Sequence, residues 1–323
     1  MGWWRINTDS LAGSRFVVSA LAEATASLLT LERGTAAHPG ERAWLDVHQS
    51  AYRKLLTDDP ITALLVRGGF ARRWMADFLT PTPLGEGEQP FAEELRELRR
   101  TPPDAARADL TVSLRGPLPG ELDRPDLPDR AADLLEWVWN ETVLPYWPRR
   151  RRIIEADIVA RARQLTRGGW AAALDDLRPG MRWLGDGRLQ INAYRHPPQQ
   201  ISGAKVLFVP VTSRQGWVSW DKPRRYAVTY PCHGPLVEAD RAPAPRALRA
   251  LLGTTRADLL MLLDTPKSTT HLVALTGQAL GSVGRHLKVL RDARLIWRRR
   301  AGRSVLYYRT DAGEFLVEAQ QDR

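Results

Sequence analysis

The chain has 323 residues, of which 43% are hydrophobic and one is a cysteine, and it carries a formal net charge of +10. Its length predicts two domains, and its basic balance favours a polyanionic partner. The lone Cys232 excludes an internal disulfide and a thiolate zinc site, while the lack of a long apolar run and of a secretory signal predicts a cytoplasmic protein without a membrane span.

The first part of the chain has the apolar spacing of helices, separated by polar and proline-rich breaks. The predicted helices cover residues 15–31, 43–56, 61–79, 91–100, 127–143 and 148–166. After Gly180, short runs rich in β-branched and aromatic residues predict strands over 181–184, 188–194, 205–211, 216–220 and 225–230. We expect these strands to form a small antiparallel sheet that closes a helical N-terminal domain, residues 1–235.

A polar segment, residues 236–245, contains Pro243 and Pro245 and is predicted to be the linker to a second domain, residues 246–323. Helical spacing resumes there in the run LRALLGTTRADLLMLL. The next run, STTHLVALTG, predicts a short helix with Ser268 as its N-cap and Gly277 at the turn that follows. The expected fold class is therefore α+β and mainly helical.

A further helix is predicted over residues 280–293, and one of its faces is apolar. That face carries Leu280, Val283, Leu287 and Leu290. At about 100° per residue, Arg285 lies almost opposite, with Ser282, Lys288 and Val289 beside it. An apolar face against the domain and an opposite face of hydrogen-bond donors is what a helix in the major groove of DNA requires.

Two β-rich runs, LIWRRR and SVLYYR, follow this helix and flank the tripeptide Ala301-Gly302-Arg303. This pattern predicts a hairpin over residues 295–309, with Gly302 in the left-handed conformation and Trp297 packing the hairpin onto the helices. An arginine-tipped hairpin beside such a helix is suited to the phosphate backbone.

Basic charge is concentrated in this part of the chain. Residues 245–323 hold 14 basic and 7 acidic residues, a net charge of +7, so +3 of the total +10 remains for the first 244 residues. Because 42 of the 47 basic residues are arginines spread along the whole chain, the distribution of charge is more informative than its total.

Residues from about 246 to 317 resemble the ArsR-type winged helix-turn-helix repressors. The resemblance rests on LLGTTRADLLMLL, GRHLKVLRDARLIWRRR and GRSVLYYR, in this order and spacing. The preceding part, with DFLTPTP and RRRRIIEADIVARARQLTRGGWAAALDDL, is similar to a large uncharacterised domain found before such modules in actinobacterial regulators. The chain departs from the family at Ala279, Leu280, Gly281 and Gly284, where serine, threonine or glutamine is usual.

The resemblance implies a transcription regulator, a repressor, that binds double-stranded DNA as a homodimer. It also implies that the two copies contact each other through segments 247–252 and 311–320. The residues predicted to contact DNA are Thr269, Thr270, Ser282, Arg285, His286, Lys288, Arg298, Arg299, Arg300 and Arg303. The family's cysteine and histidine metal-sensing positions have no counterpart here, so we expect no metal. The sequence shows no nucleophile with a base and no phosphate-binding loop, so we also expect no cofactor and no enzymatic activity.

Other interpretations of the sequence remain open. The first domain could be an enzyme with a DNA-binding tail, although no catalytic motif is recognisable, or the second domain could bind protein instead of DNA. Arg285 could be a solvated surface charge. The first domain could sense a small-molecule effector of unknown identity, bind a partner or set the spacing of a dimer, and the sequence does not rank these roles.

Overall fold

The computed structural model of the chain describes residues 2–36, 39–71, 74–85, 87–174, 177–178, 180–192, 198–201, 203–232, 244–263, 266–276, 278–301 and 304–319. The chain forms two compact units, Met1–Pro235 and Leu236–Arg323. We call them the first and the second unit. The larger part of the predicted linker, residues 236–243, and the predicted tip residues Gly302 and Arg303 lie outside the described residues.

The first unit is mainly helical. Its helices are α1 (Thr8–Ala12), α2 (Ala20–Arg33), α3 (Pro39–Asp58), α4 (Pro60–Gly69), α5 (Phe91–Arg99), α6 (Pro103–Leu114), α7 (Leu127–Val138) and α8 (Trp147–Leu174). Its strands are β1 (Gly2–Ile6), β2 (Arg15–Phe16), β3 (Arg182–Gly185), β4 (Arg188–Asn192), β5 (Gln199–Ile201), β6 (Lys205–Val211), β7 (Trp217–Asp221) and β8 (Arg225–Pro231). The expected α+β class with a helical majority is therefore confirmed.

The expectation of one small antiparallel sheet is wrong, because the strands form two mixed sheets. One sheet has the order β3-β4-β1-β5, with β1 parallel to β5, and the other has the order β2-β6-β8-β7, with β2, β6 and β8 parallel. The segment KVLFVPV of β6 is buried on both faces, and a continuous apolar run of this kind is typical of a parallel strand covered on both sides.

Helix α2 lies at the centre of the first unit. One of its faces packs on β6 and β8 through Ala22, Ala26 and Leu29, and the other joins the core of helices α3 to α7 through Leu21 and Leu28. A helix that is covered all round is mostly apolar, which explains its alanines and leucines, and its buried polar side chains, such as Glu23, need partners inside the fold. The helix starts at Ala20, later than residue 15, because Arg15 and Phe16 pair with β6 and the Ser19 side chain caps the helix by accepting from Ala22 N–H at 3.0 Å.

Two other predicted helices end differently in the structure. The predicted helix 61–79 ends at Gly69, and the absence of a Cβ at this glycine lets the Leu79 side chain pack closely against the helix end. Helix α8 loses helical geometry at Gly168 and Gly169, as expected from the paired glycines, before a last helical stretch to Leu174.

A buried ion pair joins α2, α8 and the carboxyl end of β6. Glu23 Oε1 accepts from Arg150 Nη1 at 2.8 Å, and the two side chains are 0% and 2% exposed. Glu23 Oε2 accepts from Thr212 N–H at 2.8 Å, the Thr212 hydroxyl donates to Glu23 Oε1, and Arg150 also donates to Ser27 Oγ at 2.7 Å. Because charges are costly to bury unless they are paired and hydrogen-bonded, this network fixes the contact of three elements.

The second unit consists of five helices and a three-stranded antiparallel sheet among its described residues. The elements are α9 (Arg246–Leu252), α10 (Thr254–Leu262), β9 (Lys267–Ser268), α11 (Thr269–Thr276), α12 (Leu280–Asp292), β10 (Ile296–Ala301), β11 (Ser304–Arg309) and α13 (Asp311–Glu318). The run LRALLGTTRADLLMLL forms two helices and not one, because Gly253 has φ of +80° and breaks the helix.

Across the described residues of both units, no helix combines the length and apolar character needed to span a membrane.

Candidate nucleic-acid interface

Helices α11 and α12 are held against α10 by a small apolar core. Leu272 of α11, Val283 and Leu287 of α12, Leu260 of α10 and Ile296 of β10 are all buried in it. Ser268 caps α11 as expected, because its hydroxyl accepts from His271 N–H at 3.2 Å. The core therefore fixes two consecutive helices and the start of the hairpin as one body.

Helix α12 presents its polar face to solvent. Val283, Leu287 and Leu290 are buried, while Arg285 and Lys288 are exposed, which agrees with the predicted faces. Leu280 is the exception: it was expected in the core stripe but is 60% exposed, because the first residue of the helix lies beyond the end of the core. Ser282 and His286 are half-buried at the edges of the exposed face, and the Ser282 hydroxyl donates to Gln278 Oε1 at 3.3 Å.

Two glycines on α12 have no packing role in the described part of the unit. Apart from the helix's own nearby backbone, no atom lies within 4 Å of the position that a Cβ would take at Gly281 or at Gly284. Each glycine costs a helix interior about 1 kcal/mol relative to alanine. At these two positions the surface of α12 is formed by backbone without side chains, and the packing of the unit gives no reason for a glycine there.

The hairpin of β10 and β11 carries a row of exposed arginines. Arg298, Arg299 and Arg300 pair with Tyr307, Leu306 and Val305, and all three arginines are exposed. Ala301 pairs with Ser304, so the strands extend one residue further than the predicted three-residue loop allows. The predicted contact residue Arg303 lies outside the described residues.

Two aromatic rings lie on the outer side of the hairpin. Trp297 was expected to pack onto the helices, but its ring is 43% exposed and stacks on Tyr308 with 4.3 Å between the ring centroids. The reason is strand alternation: Ile296 faces the core, so its neighbour Trp297 points to the opposite side. The hairpin is held to the helices by Ile296 instead.

The base of the hairpin is fixed by Arg309, a residue that the sequence analysis missed. Its Nε and Nη2 donate to the carbonyl oxygens of Leu260 and Met261 at 2.8 and 2.7 Å, and Nη1 donates to Glu314 at 2.9 Å. The last carbonyls of a helix lack partners within the helix, so an arginine here satisfies the end of α10 and ties it to α13. An arginine in a strand gives no sequence signal for this role.

The start of α11 lies beside the hairpin. Ser268 pairs with Leu306 of β11, which places the half-buried Thr269 and the exposed Thr270 next to the sheet. The predicted contact residues that the structure describes therefore belong to three adjacent elements, α11, α12 and β10. Outside the residues left undescribed, no group of three or more His, Cys, Asp or Glu side chains could hold a metal ion.

His271 in α11 is half-buried, and its partial removal from water lowers its pKa to about 4, with the nearby positive charge of Lys267 lowering it further. The unfolded chain therefore binds a proton near pH 6.5 and the folded unit binds one only near pH 4. Between these values the unfolded state binds more protons than the folded state. The free energy of unfolding is therefore highest above pH 6.5, where His271 is neutral in both states, and it decreases as the pH falls towards 4.

We expect the second unit of the wild-type chain to lose about 2 kcal/mol more stability between pH 7 and pH 5 than the same unit of His271→Gln. Urea unfolding of the full chain at both pH values measures this difference, with hydrogen exchange in peptides of the second unit as the readout. Equal losses in the two proteins would contradict the assigned burial of His271.

Compared with protein-family models, with curated proteins and with solved structures, the chain has no match. The resemblance to the ArsR-type repressors therefore stays a prediction from the motifs.

Proposed function

We propose that the chain is a transcription regulator that binds double-stranded DNA through its second unit, a winged helix-turn-helix. In this proposal α11 and α12 are the helix-turn-helix, α12 enters the major groove and the β10-β11 hairpin is the wing on the phosphate backbone. The observation that carries the proposal is the exposed basic face of α12, next to a hairpin with three consecutive exposed arginines.

The chemistry of the exposed residues supports duplex DNA as the partner. Arg285 can donate two hydrogen bonds to the major-groove edge of guanine, and Lys288 can pair with phosphate. Successive side chains of a strand point to opposite faces, so Arg298 and Arg300 can contact phosphates from one face of β10 and Arg299 from the other. Each phosphate that is neutralised releases counterions, so binding should weaken steeply with salt.

A gel-shift titration of the full chain tests the proposal, with the DNA upstream of its own gene as the probe and a series of salt concentrations. We expect the duplex to be retained at about 50 mM salt, and the logarithm of the affinity to fall linearly with the logarithm of the salt concentration, with a slope of about −0.9 per phosphate contact. The same sequence as single strands is the control. If neither this duplex nor a library of random duplexes is retained, the chain is not a DNA-binding regulator.

We further propose that the regulator is a repressor and a homodimer, as the family resemblance implies. Two exposed apolar side chains support the dimer: Leu251 of α9 and Phe315 of α13, the latter 71% exposed, lie in the segments 247–252 and 311–320. Exposed phenylalanine is costly in water, and covering it in a dimer would contribute about 1.5–3 kcal/mol for each copy. Two copies would also match two half-sites of a palindromic operator.

Replacing Phe315 with aspartate should convert the dimer into a monomer, because two buried charges would face each other across the dimer interface. Size-exclusion chromatography with light scattering at micromolar concentration measures the mass. Val47→Asp in α3, a change at another exposed apolar side chain, is the matched control and should leave the mass unchanged. A wild-type chain that is already monomeric under these conditions would contradict the dimer.

In this proposal the first unit is regulatory, with a small-molecule effector as its partner. Thr212 and Cys232 directly follow the carboxyl ends of the parallel strands β6 and β8, at one edge of the sheet. Ligands of parallel sheets bind outside this edge. A compound that raises the unfolding temperature of the first unit and changes the affinity of the full chain for DNA would identify the effector.

A further inference from the structure

An exposed valine lies on the same side of α12 as Arg285, one helical turn before the exposed Asp292. Val289 is 45% exposed, while Val283, Leu287 and Leu290 of the same helix are buried in the core. Valine is not favoured at an exposed helix position, because its branched side chain loses rotamer freedom there. Its presence on this face is therefore not explained by the stability of the helix.

The neighbours of Val289 along the helix make its position informative. Arg285 precedes it by four residues and Gly281 precedes Arg285 by four, so the three lie in one row on the exposed side. Gly281 leaves the row open at its N-terminal end, since no atom lies near the position of its missing Cβ in the described unit, apart from nearby helix backbone. From its N-terminal end, the row therefore presents bare backbone at Gly281, a bidentate hydrogen-bond donor at Arg285 and an apolar side chain at Val289.

This order of groups fits the edge of base pairs in the major groove. A guanine presents two acceptors there, which suit Arg285, and a thymine presents its 5-methyl group, which takes an apolar contact. Four residues of helix rise by about 6 Å, and successive base pairs are about 3.4 Å apart. The two side chains therefore reach bases that are within about two steps of each other.

We infer that Val289 is a specificity-determining residue that contacts the 5-methyl group of a thymine, within about two base pairs of a guanine bound by Arg285. The inference rests on the proposed function and adds a base preference to it. Lys288, next to Val289, binds phosphate and does not contribute to this preference. The duplex that binds best therefore has a guanine and a thymine close together in each half-site.

The test compares thymine with deoxyuridine, which lacks the 5-methyl group and is otherwise the same base. Duplexes are first selected from a random library with the full chain, and each thymine of the selected site is then replaced in turn. We expect one thymine in each half-site at which the replacement weakens binding about fourfold, the effect of one methyl group at about 0.8 kcal/mol. In Val289→Ala this sensitivity should fall to less than twofold.

Val47→Ala, a change at an exposed valine of the first unit, is the control and should keep the fourfold effect. Alanine is a better helix former than valine, so Val289→Ala is expected to fold, which circular dichroism checks. Selected duplexes that bind with no response to deoxyuridine, or a response that is unchanged in Val289→Ala, would overturn the inference alone. If no duplex binds at all, the proposed function fails and the inference fails with it.

Discussion

Replacing Arg150 with methionine is expected to destabilise the first unit by about 3–5 kcal/mol. The change removes the guanidinium that Glu23 contacts at 2.8 Å and leaves a carboxylate with 0% exposure in the core. The two hydrogen bonds from Thr212 to Glu23 offset only a part of the free-energy cost of burying that charge. Unfolding in urea, followed by tryptophan fluorescence, measures the loss, because all tryptophans except Trp297 belong to the first unit.

The adjacent arginine provides a matched control. Arg151 also forms an ion pair, with Glu88 at 2.6 Å, but the two side chains are 43% and 38% exposed. Solvent screens such a pair, so Arg151→Met should cost less than about 1 kcal/mol. The double variant Glu23→Leu with Arg150→Met should regain most of the loss, because no charge is then left buried. Similar effects at Arg150 and Arg151 would refute the role assigned to the buried network.

Replacing Arg285 with alanine is expected to weaken binding to the selected duplex by about 1–3 kcal/mol, which corresponds to about 5-fold to 150-fold in Kd. In the proposed function Arg285 makes a bidentate contact to one guanine, so the variant loses this contact and keeps the proposed phosphate contacts that hold any sequence. Binding to unrelated duplexes should therefore change little. Fluorescence anisotropy with the selected and an unrelated duplex, at one fixed salt concentration, gives both constants.

Arg299→Ala is the contrasting variant, since Arg299 is proposed to contact phosphate from the hairpin. It should weaken the selected and the unrelated duplex about equally and reduce the steepness of the salt dependence by about one phosphate contact. Arg96→Ala in α5, at an exposed arginine of the first unit, should change neither constant. If the Arg285 and Arg299 variants both bind DNA as the wild type does, the interface has been placed on the wrong face of the second unit.

The exposed face of α12 shows how far sequence reasoning reaches at the candidate interface. Helical periodicity predicted that Val283, Leu287 and Leu290 are buried and that Arg285 and Lys288 are exposed, as the structure has them. It failed for Leu280 because periodicity gives the direction of a side chain but not where the neighbouring helices stop covering it. It also overlooked Arg309, whose partners are carbonyl oxygens some fifty residues earlier in the chain.

The amino-acid sequence by itself determined the helical character of the chain, the strands β6 and β8, the cap at Ser268 and the basic row of the hairpin, since each of these depends on residues close together along the chain. Only the tertiary structure decided that β1 and β2 join sheets with strands about two hundred residues away, and that Glu23 meets Arg150 in the core. Local patterns fix which face of an element is apolar. Which element packs against that face depends on how the whole chain folds, because many elements have apolar faces of similar size that could pack there.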